Sequence, residues 1–186
     1  HHRRTTERVD QARARLLPLL MRTCSLLFTI FHRGSAEPYV VRDLKPKNLI
    51  LTTNGDERII LIDVRSALQV GRQSKSARSK IRLGTRNWLY WSPELLLRPG
   101  IQADERSDLF SVGATAFYLL LARAPFSNSE PDSARALDNY IMEYAAVKSD
   151  LLAHCAAMGV PEKQALFLAS CLHPLPKERP GLIPSP

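Results

Sequence analysis

A string of charged and amide residues that runs into a predicted hairpin constrains the fold of this chain most. The string reads Val41, Arg42, Asp43, Leu44, Lys45, Pro46, Lys47, Asn48. Two β-rich runs follow, 49–53 and 58–63, on either side of Asn54-Gly55, the dipeptide that most favours a tight hairpin turn. The second run ends at Asp63. The sequence therefore predicts that acidic and amide groups converge beside a small hairpin.

The residues that converge are those that a phosphoryl transfer requires. Such a reaction needs a carboxylate for the attacking hydroxyl, oxygen ligands for Mg²⁺ and a cation facing the phosphate. Asp43, Asn48, Asp63 and Lys45 supply this set. Each residue taken singly has a plainer interpretation, because an Asp after a strand is usually a turn cap and an Arg-Asp pair is usually a surface ion pair.

The order of four further motifs favours the chemical interpretation. They are Ser92-Pro93-Glu94, then Asp108 with Phe110 and Gly113, then Ala124-Pro125-Phe126, and finally Arg179-Pro180. Together with RDLKPKN they resemble, in order, the landmarks of the eukaryotic protein kinase superfamily, and the Lys two residues after the Asp is similar to the serine/threonine type. The resemblance extends over essentially the whole chain.

The fold that this resemblance implies is α+β and protein-kinase-like, a mainly α-helical C-lobe with a small β-hairpin. Residues 1–186 would form a partial kinase domain, from a long helix at 6–33 to the Arg-Pro motif, without the N-lobe. Helical spacing and caps predict further helices at 108–122, 131–147 and 161–171.

The resemblance also assigns roles to individual residues. It implies that Asp43 is the catalytic base and that Lys45 contacts the γ-phosphate of ATP. Asn48 and Asp63 would bind Mg²⁺, and Ile50 would lie under the adenine. ATP and Mg²⁺ are therefore the expected cofactors, with a protein as the second substrate.

Three more residues have structural roles in the family. Glu94 is expected to pair with Arg179, and Asp108 opens the buried helix. Residues 64–94 correspond to the activation segment, in which Arg42 would receive a phosphate. The candidate phosphorylation sites are Ser74, Ser76, Ser79 and Thr85, although their basic surroundings also fit a docking surface or a soluble loop.

Several departures from the family pattern favour a second hypothesis. Val41 replaces the His before Arg-Asp, and Asp63-Val64-Arg65 replaces Asp-Phe-Gly. The spacing before Ser92 is two residues longer than in the family. The Gly-rich loop and the phosphate-binding Lys do not occur in the chain, so the fragment alone is expected to be inactive. The alternative function is a pseudokinase, a binding or allosteric module.

A weaker resemblance concerns the run NGDERIILIDVRSALQVG, which is similar to rhoptry kinases and pseudokinases of apicomplexan parasites. It would imply a secreted effector that acts on host proteins. The sequence has no signal-peptide pattern, and an intracellular location is the default expectation.

The net charge of +8 raises the question of nucleic-acid binding. The basic residues cluster at 1–15 and 72–86 without interleaved aromatic residues, which favours a solvated surface over a nucleic-acid binder. The longest apolar stretch, 109–122, is too short to span a membrane. The three cysteines lack metal-ligand spacing, so buried free thiols are expected. The sequence does not predict an oligomeric state.

Overall fold

The computed structural model describes residues 39–52, 59–69, 86–97, 101–126 and 135–180. The predicted helix at 6–33, the Asn54-Gly55 turn and Cys24 lie outside these ranges. The described part is mainly helical with two small antiparallel sheets, which confirms the predicted α+β class.

Four short strands form two antiparallel pairs. Strand β1 pairs with β4, and β2 pairs with β3 in the register Leu49↔Leu61, Ile50↔Ile60. The pair β2–β3 confirms the predicted hairpin, with shorter strands than the sequence suggested. The strands are β1 (Tyr39–Val40), β2 (Leu49–Leu51), β3 (Ile59–Leu61) and β4 (Leu68–Gln69).

The helices follow the strands along the chain. They are α1 (Pro93–Leu97), α2 (Glu105–Leu121), α3 (Ala136–Ala157) and α4 (Glu162–Cys171), with single 3₁₀ turns at Pro46–Asn48, Val64–Ser66, Arg86–Tyr90 and Pro176–Glu178. Helix α2 packs against both α3 and α4. It is buried on nearly every face, as its continuous apolar sequence predicts.

Helix α2 begins three residues before the predicted start at Asp108 because of a capping box. The Asp104 carboxylate accepts hydrogen bonds from the backbone N–H groups of Arg106 and Ser107, and the Ser107 hydroxyl accepts one from the Asp104 N–H. These bonds satisfy donors that a helix start leaves unpaired. The first turn places the Asp108 side chain in the protein interior, where the residue is 2% exposed.

Helix α3 is displaced relative to the prediction of 131–147, since it begins at Ala136 and continues to Ala157. The apolar stripe explains the extension, because Val147, Leu151 and Cys155 recur at four-residue spacing and are all buried. Cys155 and Cys171 are buried thiols that form no disulfide within the described residues, as expected, and burial raises the pKa of Cys155. Across the described ranges, no helix combines the length and the apolar character of a membrane span.

Gly113 sits where α2 meets the end of α4. A Cβ atom at this position would lie 2.9 Å from Leu172 Cγ and 3.1 Å from Cys171 Cβ, both in fully buried residues. Gly113→Ala is therefore expected to destabilise the fold, because overpacking costs about 1 to 3 kcal/mol and the gain in helix propensity is at most about 1 kcal/mol. Chemical denaturation measures the difference. Adding Leu172→Ala should relieve part of the clash, and strictly additive losses would contradict this explanation.

Candidate active site

The two strand pairs bring two segments of the chain together. Residues 41–48 lie between β1 and β2, while residues 62–67 lie between β3 and β4. Because β1 pairs with β4 and β2 with β3, each end of one segment is fixed to an end of the other. The backbone N–H of Ile62 also donates to the carbonyl oxygen of Asn48 at 2.8 Å. Asp63 is the residue after Ile62 and therefore lies beside the 41–48 loop, as the sequence predicted.

Asp43 is the centre of the first segment. Lys45 Nζ donates to both of its carboxylate oxygens, at 2.8 and 2.7 Å. The amide nitrogen of Asn48 donates to the Asp43 carbonyl oxygen at 2.7 Å and to Oδ2 at 3.1 Å. The side chain of Asp43 is 22% exposed and that of Lys45 12%, so the carboxylate is held in a partly buried position.

These contacts fix the orientation of the Asn48 amide. Its nitrogen is bound to Asp43, so its oxygen points away from that residue. Within the described residues no hydrogen bond to this oxygen is present, and Asn48 as a whole is only 6% exposed.

Asp63 makes a different contact from the one expected of a metal ligand. Arg65 Nε donates to its Oδ1 at 2.7 Å and Nη2 donates to its Oδ2 at 3.1 Å. The hydrogen bond from Arg65 lowers the pKa of the Asp63 carboxyl, with smaller contributions from the charges of Arg65 and Lys45, so the group is ionised at neutral pH. The side chains are 40% exposed for Asp63 and 89% for Arg65.

The loop that carries Asp43 is held by Asp108 from helix α2. The Asp108 carboxylate accepts the backbone N–H of Val41 at 2.7 Å and that of Arg42 at 2.9 Å. The side chain of Val41 is buried in the hydrophobic core. The anchor uses the backbone, so it is retained although Val41 stands where the family pattern has His.

Arg42 also connects residues 41–48 to residues 62–67. Its Nε donates to the Ser66 carbonyl oxygen at 2.6 Å, while the Ser66 hydroxyl donates to the Val41 carbonyl oxygen at 3.2 Å. Burial lowers the pKa of the Arg42 guanidinium, and the charge of Asp108 opposes this shift. Arg42 and Asp63 both have φ near +60°, a region that other residues than glycine seldom adopt and that is frequent at functional sites.

The pair that the sequence predicted between Glu94 and Arg179 is present and buried. Arg179 Nη1 and Nη2 each donate to one Glu94 carboxylate oxygen at 2.7 Å. The remaining N–H groups donate to the carbonyl oxygens of His173, Arg106 and Pro174. All five guanidinium N–H groups are therefore paired, in a side chain that is 0% exposed.

Ile50 lies on the exposed face of the hairpin. Its register partner Ile60 shares that face, and both residues are 46% exposed, with Ile62 at 38% beside them. Of these three residues only Ile50 was predicted. A two-residue Asn54-Gly55 turn would have placed Ile59 opposite Ile50, one position short of the observed partner Ile60.

The structure thus brings Asp43, Lys45, Asn48 and Asp63 into one region next to the exposed hairpin face. Residues 64–94 as an activation segment remain a prediction, as does the phosphate-receiving role of Arg42. The candidate phosphorylation sites Ser74, Ser76, Ser79 and Thr85 lie outside the described residues. Ser66 and the acceptor role of Asp108 were missed, because they act through backbone groups that leave no composition signal.

The donor set fits a magnesium ion that is shared with a phosphate. In the described ranges no group of three or more His, Cys, Asp or Glu residues could hold a metal ion. Asn48 and Asp63 would thus supply one amide oxygen and one carboxylate. Mg²⁺ commonly takes one or two carboxylates and completes its shell with water and substrate phosphate oxygens. The amide oxygen of Asn48 and the carboxylate of Asp63, which is 40% exposed and paired with Arg65, are the protein ligands available for such an ion.

Comparisons with known proteins agree with this geometry. The model of the protein kinase domain matches residues 23–184. The chain is similar to a probable serine/threonine-protein kinase of Streptomyces coelicolor, with 35% identity over 92 residues, 50% of this chain and 13% of that protein. PknJ of Mycobacterium tuberculosis is 38% identical over 88 residues, 46% of this chain and 14% of PknJ.

A third relative is similar over a longer stretch. The serine/threonine-protein kinase pkn2 of Myxococcus xanthus is 35% identical over 120 residues, which is 63% of this chain and 14% of pkn2. The chain spans less than a fifth of the length of each of these three relatives.

Proposed function

The chain belongs to the protein kinase family, and on this premise we propose that the protein containing it is a serine/threonine protein kinase. It would transfer the γ-phosphate of ATP to a serine or threonine hydroxyl of a protein substrate. The observation that carries the proposal is the Asp43 carboxylate, which Lys45 and Asn48 hold in a loop that Asp108 fixes to the core. The three relatives described above carry the name serine/threonine-protein kinase, which supports serine and threonine as the residues that would accept the phosphate.

Asp43 would orient the substrate hydroxyl and accept its proton as the new oxygen–phosphorus bond forms. The Asp43 side chain is 22% exposed, and the hydroxyl would approach it from this exposed part. Lys45 is bound to the same carboxylate, and its ammonium group has a further N–H with which it would contact the γ-phosphate. The residue that takes the proton and the one that faces the phosphate are thus already in contact.

Asn48 and Asp63 would hold magnesium together with the nucleotide phosphates, and Ile50, Ile60 and Ile62 would offer an apolar surface to the adenine. Bound magnesium supplies positive charge that neutralises the phosphate oxygens. The chain's part is to fix the amide oxygen of Asn48 through the bond from its nitrogen to Asp43. Asp63 carries a negative charge at neutral pH, as an aspartate carboxyl ordinarily does.

Phosphoamino-acid analysis tests the choice of hydroxyl. The complete protein is incubated with Mg²⁺ and ATP labelled in the γ-phosphate, with a generic basic protein as acceptor, and the acceptor is hydrolysed. We expect labelled phosphoserine or phosphothreonine. Label confined to phosphotyrosine would contradict the serine/threonine assignment.

Asp63→Asn is expected to remove the Mg²⁺-dependent part of nucleotide binding while leaving the fold intact, because the exposed side chain contributes to the site and not to the core. In the wild type, ADP with Mg²⁺ at about 100 times its dissociation constant should stabilise the protein by about 3 kcal/mol. Melting temperatures with ADP, in Mg²⁺ and in EDTA, measure this effect. Asp150→Asn on α3 is the matched control, and an equal response to Mg²⁺ in Asp63→Asn would contradict the metal assignment.

A second candidate function, the pseudokinase, is favoured by one observation. The carboxylate that would bind the metal is paired with Arg65, a residue at the position where the family pattern has Gly. In this alternative the protein binds nucleotide or a partner without efficient transfer. Nucleotide-dependent stabilisation without any labelled product would favour it. The resemblance to rhoptry kinases remains a prediction on which neither candidate depends.

A further inference from the structure

We propose that Arg65 competes with the metal ion for Asp63. The guanidinium of Arg65 occupies the Asp63 carboxylate and must leave it before a divalent cation binds there. The inference rests on the proposed function only in taking Asp63 as a metal ligand. It makes Arg65 a residue that sets the metal affinity of the site.

The geometry of the contact supports this role. The planar guanidinium of Arg65 covers both oxygens of the carboxylate, at 2.7 and 3.1 Å. A divalent cation binding through either oxygen would have to displace at least one of these bonds. Two like-charged groups cannot share the carboxylate without repulsion, so cation binding and the ion pair oppose each other.

The backbone next to Arg65 is held by hydrogen bonds to the neighbouring loop, whereas the Arg65 side chain is exposed to solvent. Ser66, the next residue, is bonded to Arg42 and to Val41 of the neighbouring loop. The Arg65 side chain is 89% exposed, and beyond Asp63 the described residues offer it no other partner. Release of Asp63 therefore requires only a change of side-chain rotamer in water, without movement of the main chain.

The strength of the pair determines the size of the effect. Exposed ion pairs are weak because water and salt screen them and ordering long side chains costs entropy. Arg65 should therefore raise the apparent dissociation constant for the metal by about two- to five-fold rather than abolish binding. The competition should weaken as ionic strength rises.

Titration with Mn²⁺ alone tests the inference on the complete protein, with the free ion counted by electron paramagnetic resonance. Arg65→Gln should bind Mn²⁺ about two- to five-fold more tightly than the wild type at low salt. Arg65→Lys, which keeps the charge but loses the planar fork, should fall between the two. The ratio between Arg65→Gln and wild type should approach one at about 1 M salt.

Two further variants separate the possible failures. Arg123→Gln removes the same charge from a comparable exposed pair, Arg123 with Asp150. It should leave the Mn²⁺ affinity unchanged, and an equal gain in both Gln variants would overturn the inference as a net-charge effect. Asp63→Asn should weaken binding. If Asp63→Asn weakens Mn²⁺ binding but Arg65→Gln binds Mn²⁺ no more tightly than the wild type, Arg65 does not compete for the metal and the proposed metal site stands. If Asp63→Asn binds Mn²⁺ as the wild type does, the proposed metal site fails as well.

Discussion

Arg179→Ala is expected to lower the free energy of unfolding by about 3 to 5 kcal/mol, the range measured when one partner of a buried ion pair is removed. The variant leaves the Glu94 carboxylate, whose side chain is only 10% exposed, without its bidentate partner. It also removes one hydrogen bond from each of the carbonyl oxygens of His173, Arg106 and Pro174, and it removes the guanidinium from the ring of Phe110, whose centroid lies 5.0 Å away. Urea denaturation of the complete protein measures the loss.

Two variants calibrate this result. Arg179→Lys keeps the charge but has three N–H groups instead of five, so it should recover only part of the stability. Arg123→Ala removes an arginine from the half-exposed pair with Asp150 and from the ring of Phe117, 5.1 Å away, and should cost at most about 2 kcal/mol. If Arg179→Ala and Arg123→Ala lose the same stability, the buried pair does not hold the end of the chain to α1.

Asp43→Asn is expected to reduce phosphate transfer by about 10² to 10⁴-fold, the usual contribution of a positioned general base. An amide cannot accept the hydroxyl proton, although it is nearly the same size as the carboxylate. It also presents a donor or a weaker acceptor to Lys45, whose bonds to both oxygens depend on the negative charge. Initial rates at saturating ATP measure the loss.

The control for this substitution is Asp150→Asn, the same chemical change on the exposed surface of α3. Its rate should match the wild type. Asp43→Asn should still fold, because Asp108 also anchors the loop, but its melting temperature should fall because Lys45, whose side chain is only 12% exposed, loses the charge of its partner. A folded Asp43→Asn protein with full activity would show that the base is another group.

Much of this arrangement could be predicted because the chemistry is concentrated in consecutive residues. Asp43, Lys45 and Asn48 lie within six positions, so a local loop is enough to bring them together. Asp63 joins them through the hairpin that Asn54-Gly55 indicates. The pair between Glu94 and Arg179 was expected only from the resemblance, since no local pattern connects residues 85 positions apart.

The contacts that the sequence could not reveal are of two kinds. Some use backbone groups, and others use a side chain at a position where this chain departs from the family pattern. Asp108 accepts two backbone N–H groups from a loop 66 and 67 positions away. Nothing in the identity of Val41 indicates this, because any residue provides that N–H. Arg65 was recognised as a departure from the pattern, but its contact with Asp63 depends on the positive φ of Asp63 and the turn at Val64–Ser66.

Helix boundaries show the same limit. The sequence placed the start of α2 at Asp108 and the end of α3 at Val147, whereas the structure has Glu105 and Ala157. The start of α2 is set by the Asp104 cap. Its capping partner Ser107 is a weaker sequence signal for a helix start than a Glu or Gln at that position. At the end of α3, the buried stripe through Leu151 and Cys155 stabilises nearly three further turns that propensity alone does not require.

The most direct test of the central claim is a time course of phosphate transfer from γ-labelled ATP to a protein acceptor, with the complete wild-type protein and Mg²⁺. We expect steady labelling of the acceptor, which EDTA stops and which Asp43→Asn nearly abolishes. No labelling by a folded protein that ADP stabilises would contradict it, and would mean that the Asp43 site binds nucleotide without carrying out the transfer.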